Sequence, residues 1–280
     1  MPPADRASAI ADAYRAACLA ELQALKPGNV HVFADGHGMA VADFEQSAAV
    51  SAPHIATTGA RVGARIRGAV EATVAAIRQN TNLGIVLLAA PLAAAAERRS
   101  PLRAALAGVL DDLDRTDAAD AFAAIRIANP GGLGRATSHD VRDEPSVTLR
   151  EAMAEAAGRD RIARAYVTGF ADVWTVGLPA LDEALRRGLD PPWAASAVYL
   201  AFLSAFPDTH VARKHGTARA EAVRQEAEGV RRGSALGLGP DVAPALLALD
   251  ARLKAEGVNP GTSADFTVAT LLAGALGACR

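Results

Sequence analysis

A chain of 280 residues that is 51% hydrophobic but only 4% aromatic must build its core from Ala, Leu, Val and Ile, which suits closely packed helices better than sheets. Lysine and arginine (29) nearly balance aspartate and glutamate (31), which excludes a global field drawing the protein to nucleic acid or to an anionic membrane. The two cysteines, Cys18 and Cys279, lie near opposite ends and exclude a disulfide framework and a cysteine metal site. With no apolar signal core at the N-terminus, the expected location is the cytoplasm.

Apolar residues recur at spacings of three and four through Ala7–Leu25, predicting a first helix that stops at Lys26-Pro27-Gly28. A lysine on a Pro-Gly turn suits phosphate contact, because Gly28 lets an anion approach closely; the plainer reading is a solvated helix end. His31 and His37 in the following loop read as acid/base groups, as a metal pair, or as ordinary histidines. A helical stretch over Ala48–Ile77 leads to Asn80-Thr81-Asn82-Leu83-Gly84, a polar cluster that must find hydrogen bonds if it is buried. Leu83–Ala96 is uncharged but falls short of the roughly 20 residues of a bilayer span and contains Pro91, so it reads as a buried core helix.

Helical stretches at Leu102–Leu113 and Ala118–Ile127 are followed by the loop Asn129–Pro145. There glycines flank Arg135, and His139, Asp140, Asp143 and Glu144 come after it. Glycine N–H groups with one arginine can hold a phosphate and the carboxylates a Mg²⁺ ion, although neither a Walker loop nor a dinucleotide fingerprint is present. The alternative is a solvated connection capped by acidic residues. Helices are next predicted over Val147–Ala157, Ile162–Leu185 and Ala194–Phe206. Phe206–Gly216 then gathers Asp208, His210, Arg213, Lys214 and His215, a set suited to a polyphosphate and its metal. If that segment is helical instead, Asp208 is an N-cap and the bases form a solvated face. Ala218–Val230, Val242–Leu253 and Ser263–Leu276 complete the helical pattern. The last is opened by Asn259-Pro260-Gly261-Thr262-Ser263-Ala264-Asp265, where Thr262 or Ser263 can cap, free N–H groups can bind an anion, and Asp265 can serve a metal or a hydroxyl proton. Strict period-two alternation is nearly absent and no linker stands out. The expectation is one all-α, compact multi-helix domain over residues 1–280 with functional loops at helix ends.

Taken in order, several of these segments resemble the motifs of the triphosphoribosyl-dephospho-CoA synthase family, the ATP:dephospho-CoA triphosphoribosyl transferases. They are Lys26-Pro27-Gly28, Gly36-His37, Asp43-Phe44-Glu45-Gln46-Ser47, Asn80-Thr81-Asn82-Leu83-Gly84, Asp208-Thr209-His210 and Pro260-Gly261-Thr262-Ser263-Ala264-Asp265. The resemblance spans nearly the whole chain. It implies an all-α fold and a reaction in which a hydroxyl displaces adenine from C1′ of ATP while the triphosphate stays on the transferred ribosyl group. It also implies Mg²⁺ with ATP, Asp208 and Asp265 on metal or base duty, and His37 as proton donor. Lys26, Gly28, Asn80, Thr81, Arg135, Arg213, Lys214 and Ser263 would bind the nucleotide. The partners would be a nucleotide and a phosphorylated cofactor precursor, without nucleic acid or membrane, and self-association is compatible.

Where the family loop reads Asn-Thr-His-Lys-Gly, this chain has Asn82 and Leu83, which removes a cation. Together with the stretch from Pro130 to Arg135, this looks like a divergent branch accompanying tetrahydromethanopterin or methanofuran one-carbon pathways, with a different donor or acceptor. Two other readings compete: a non-catalytic helical ligand-binding protein, and a metal-dependent phosphohydrolase using His139-Asp140. The second needs ligands projecting from helices, whereas this pair lies in a Gly-rich loop.

Overall fold

Small aliphatic side chains let helix axes come close, and the structure is built on that property. It is a computed structural model, describing residues 3–36, 38–131, 139–233 and 239–278. The described residues form fourteen α-helices and no strand ladder, only isolated bridges between His31 and Ala34 and between Gly36 and Met39, as the all-α expectation requires. The helices are α1 (Pro3–Gln23), α2 (Val41–Ile55), α3 (Val62–Ile77), α4 (Leu83–Ala96), α5 (Leu102–Asp111), α6 (Arg115–Ala128) and α7 (Leu149–Ala156). They continue as α8 (Arg161–Thr168), α9 (Leu178–Arg186), α10 (Pro191–Ala205), α11 (Thr209–His215), α12 (Thr217–Gly233), α13 (Ala243–Ala255) and α14 (Gly261–Ala278). No helix among them is long and apolar enough to cross a membrane.

Two stretches expected to be continuous are broken. Ala48–Ile77 becomes α2 and α3, because the buried guanidinium of Arg65 donates to Ile55 O (2.6 Å) and Ala60 O (3.0 Å), filling carbonyls that a continuing helix would have used. Ile162–Leu185 is interrupted where Gly169 (φ 63°) and Phe170 (φ 60°) enter the left-handed region, and a single π-helical turn, Val173–Gly177, then leads into α9. Phe206–Gly216, for which the sequence leaves both a polar loop and a helix capped by Asp208 open, takes the helical alternative as α11.

The chain divides into two compact units. One takes the described residues within Met1–Ala17, Asp43–Ala171 and Leu272–Arg280, the other Cys18–Ala42 and Asp172–Leu271. The chain passes between the units four times, inside α1, inside α2, just before the π-helical turn and inside α14, so no long linker marks the division. In the first unit, α3 and α6 approach so closely that a Cβ on Gly63 would lie 2.6 Å from Asp117 Cα, and the Gly63 N–H donates to Asp117 Oδ1 at 2.7 Å. Helix α4 is buried along most of its length. Its Pro91 cannot donate to the carbonyl of Leu87, one turn back, and the Tyr166 hydroxyl donates there instead at 2.7 Å.

That substitution of one donor for another makes a double-mutant prediction. Tyr166→Phe is expected to lower stability by about 1–2 kcal/mol, the cost of a buried carbonyl left without a partner. In a Pro91→Ala background the restored N–H serves Leu87, so the loss shrinks; urea denaturation of the four proteins measures it, and additive effects would show that the two donors do not substitute for each other. The second unit has its own core, in which Leu25, Tyr199, Leu203, Val211, Val223 and Leu253 are buried together.

Candidate functional site

Most of the polar segments singled out in the sequence belong to the second unit, and that is where they meet. Helix α1 ends at Gln23, and the chain turns through Lys26-Pro27-Gly28 with every step held. The Leu25 N–H donates to Ser196 Oγ (2.8 Å), Pro27 O accepts from the Tyr199 hydroxyl (2.7 Å), and the Gly28 N–H donates to Asp250 Oδ1 (2.8 Å). Gly28 has φ 82°, and a Cβ there would stand 2.8 Å from Pro260 Cδ and 2.9 Å from Val258 O. Glycine is therefore required by both conformation and space, and the close approach it permits is to the protein's own chain, not to a ligand.

Lys26 is fully buried. Its ammonium pairs with the Glu21 carboxylate and donates to Asn29 Oδ1 at 3.1 Å, while the Asn29 amide donates to Asn259 Oδ1 at 2.8 Å. Burial pushes the Lys26 amine below its ordinary value and the Glu21 carboxyl above its own, each opposed by the attraction of the other. The phosphate contact expected of Lys26 finds no open side chain here: two of its three donors serve Glu21 and Asn29, and the residue is 0% exposed.

Buried His31 and Asp250, with half-buried Lys254, form a second set that the sequence reading did not assemble. His31 is 0% exposed; its Nδ1 accepts from the Phe33 N–H at 3.3 Å, so Nε2 carries the hydrogen and faces Asp250 Oδ1 at 3.3 Å. Lys254 Nζ pairs with Asp250 Oδ2 (3.2 Å) and donates to Ala34 O (2.9 Å); its 3.3 Å approach to His31 Nε2 is then a contact between two donors. Burial, with Lys254 and Lys26, holds the His31 imidazole below its ordinary value against the pull of Asp250. Burial pulls the Asp250 carboxyl upward, but His31, the Gly28 N–H and Lys254 together bring it below its usual value. The one available signal was Asp250 itself, a carboxylate between Leu249 and Leu253 on the buried face of α13.

The depressed histidine has a consequence for stability. Because the unfolded chain takes up this proton more readily than the folded one, stability is fully present above the unfolded value of about 6.5 and falls as pH drops below it. The expected slope is at most about 1.4 kcal/mol per pH unit, since one proton is involved. Urea unfolding between pH 5 and 8 should show it and a His31→Gln variant should flatten it; identical curves would place the acid sensitivity elsewhere.

Asp208 stands at the centre of a third set. It caps α11, its Oδ1 accepting from the N–H groups of His210 (2.9 Å) and Val211 (3.1 Å), and its Oδ2 accepts from the N–H (2.8 Å) and hydroxyl (2.9 Å) of Ser263 at the start of α14. Thr262 Oγ1 also accepts from the His210 N–H at 3.1 Å. Burial raises the Asp208 carboxyl while these donors oppose the shift. Two helix starts thus converge on one internal carboxylate. The anion at the opening of α14 is the protein's own Asp208, in line with the capping readings of Asp208 and Ser263; a metal or base role for Asp208 and a ligand contact by Ser263 would require these four bonds to open.

Asp265 lies one turn into α14, half-buried, close enough to Lys26 to favour its charged form. Arg213 and Lys214 occupy the last turn of α11, Arg213 half-buried and Lys214 more exposed. Partial burial and then the Arg213 charge lower the Lys214 amine. Arg213 lies five positions beyond Asp208, a helical rise of about 7.5 Å.

Asn80 and Thr81 belong to the first unit. Asn80 Oδ1 accepts from the Leu83 N–H (3.1 Å), Thr81 Oγ1 shares a hydrogen bond with Ser47 Oγ (2.5 Å), and the buried Asn82 amide donates to Thr73 Oγ1 (3.1 Å) and Ser51 Oγ (3.4 Å). The cluster is thus satisfied by the start of α4 and by neighbouring hydroxyls, as a buried polar group requires. His37 and Arg135 lie outside the described residues. Among the described residues no three His, Cys, Asp or Glu side chains are grouped to hold a metal, and both Asp208 oxygens are taken, so the expected magnesium has no protein-built ligand set there. Among the described residues the phosphohydrolase reading of His139-Asp140 likewise finds no further ligands.

Comparison with known proteins bears on the whole chain. A crystal structure of an Archaeoglobus fulgidus protein assigned as a triphosphoribosyl-dephospho-CoA synthase is similar, with a TM-score of 0.63 and 26% sequence identity, covering 82% of this chain and 97% of the other. No curated protein matches. The ATP:dephospho-CoA triphosphoribosyl transferase family matches residues 7–280, and the chain belongs to that family.

Proposed function

We propose that the protein moves a triphosphoribosyl group from ATP to a hydroxyl of dephospho-CoA or a closely related cofactor precursor. The observation that carries this reading is the family match over residues 7–280, and Asp265, a half-buried carboxylate on the first turns of α14 whose charge is felt at the buried Lys26, is the residue we place at its centre. In the reaction the C1′–N bond to adenine breaks as the acceptor oxygen bonds to C1′, the hydroxyl proton is taken up, and adenine leaves with a proton. Asp265 is the group to take the hydroxyl proton and to face the positive charge that develops at C1′. Arg213 and Lys214 are the cations suited to the triphosphate, and His37 is the candidate donor to the purine. Magnesium enters as part of the ATP substrate, held by the triphosphate oxygens.

Incubation with ATP, Mg²⁺ and dephospho-CoA should release adenine and yield a product heavier than the acceptor by the triphosphoribosyl group, both read by mass spectrometry. A second reading, a different donor or acceptor from one-carbon cofactor biosynthesis, is favoured by Asn82 and Leu83: the first is bound into a hydroxyl network and the second opens α4, so this loop brings no cation. Adenine release with a pterin or methanofuran precursor but not with dephospho-CoA would select it. No release with any acceptor would overturn both.

A further inference from the structure

The turn after Lys26-Pro27-Gly28 presents a side chain that the chemistry above does not use. Phe33 is 64% exposed, whereas the other described phenylalanines are buried, apart from the half-buried Phe44. Its backbone is nonetheless pinned. The Val32 N–H donates to Leu22 O (3.1 Å), the Phe33 N–H to His31 Nδ1, the Ala34 N–H to His31 O (2.9 Å), and Lys254 Nζ reaches Ala34 O. Beneath it the His31 ring lies 5.7 Å away, tilted by 57°, so the phenyl group is braced on one side and open on the other. A solvated loop needs no such support, and burying a histidine and an aspartate to fix one is costly. Such support keeps an aromatic surface in place for something that lies against it.

We propose that Phe33 is a stacking platform for the adenine base of a nucleotide substrate, held in position by the His31–Asp250–Lys254 set. The inference rests on the transferase reading for its ligand: ATP and dephospho-CoA both carry adenine, and a base presents a flat face that an exposed phenyl ring can cover. A protein partner fits less well, because Val32 and Phe33 are followed by the exposed Asp35 and by Gly36, which makes a small isolated apolar surface and not an extended patch.

Phe33→Ala and Phe33→Trp should both fold, since the side chain is largely in solvent. Calorimetric titration of each, and of wild type, with ATP, dephospho-CoA and inorganic triphosphate tests the proposal. Phe33→Ala is expected to weaken at least one adenine ligand about tenfold or more while leaving triphosphate affinity and the melting temperature unchanged. Phe33→Trp should keep the affinity and report binding by quenched fluorescence. Loss confined to ATP assigns the platform to the departing base, and loss confined to dephospho-CoA assigns it to the acceptor. Unchanged affinity for both, equal loss for triphosphate, or a wild type that binds neither adenine ligand overturns the proposal. Phe33-dependent binding without any transfer would keep the platform and remove the transferase reading, whereas transfer with Phe33-independent binding would do the reverse.

Discussion

Asp208→Asn is expected to lower the unfolding free energy by on the order of 4 kcal/mol. The carboxylate accepts from His210 and Val211 on one oxygen and twice from Ser263 on the other, in a place with no exposure to water. An asparagine of nearly the same shape keeps one acceptor oxygen but turns an NH₂ group toward the other pair of donors. Those donors then face a donor, and no solvent can relieve them. Both α11 and α14 lose their starting contact at once, which is why the effect exceeds that of an ordinary cap, typically about 1 kcal/mol. Ser263→Ala, which removes one donor and leaves the carboxylate, should cost only about 1 kcal/mol. Urea denaturation measures both. A loss below about 1.5 kcal/mol for Asp208→Asn would mean that apolar packing, and not this carboxylate, holds the two helix starts together.

The same residue shows how far the sequence could be read. An aspartate two residues before a histidine-rich segment was visible as an N-cap, and that half of its role needed only local spacing. Its other half depends on Ser263, which comes from a different helix far along the chain and leaves no periodic trace. Lys26 behaves alike: the Pro-Gly turn was legible, but its partner Glu21 sits on the preceding helix and reads there as one more polar residue among others. Helices were legible wherever one apolar face persists; α4 matches its expected stretch at both ends because Asn82 and Glu97 bound an uncharged run. The breaks after α2 and α8 were not, since the apolar pattern continues through them. What stops those helices is a buried arginine reaching back to carbonyls in one case and two left-handed residues in the other.

These long-range pairings also sort the candidate residues by how far they are buried. Glu21, Lys26, Asp208 and Ser263 are consumed in building the junction between the α1 turn, α11 and α14. Asp265 differs from them in being partly open, and its charge is felt at Lys26. The Asp265 charge favours the charged form of Lys26, so the two groups interact without Lys26 itself having to touch a substrate.

Asp265→Asn is accordingly expected to cut kcat by about 10²–10⁴-fold, the range associated with a positioned general base, with little change in KM. An interaction made mainly in the transition state lowers kcat and kcat/KM together, whereas a lost substrate contact would raise KM. Stability should change by less than about 1 kcal/mol, because the side chain is half-buried and asparagine fills the same space. Adenine release under saturating ATP and acceptor, measured beside the urea midpoint, separates the two effects. A variant that unfolds early would make Asp265 a further member of the structural junction. One that keeps both its midpoint and its rate would leave Asp265 no part in taking the proton, and the acceptor hydroxyl would have to lose it to another group.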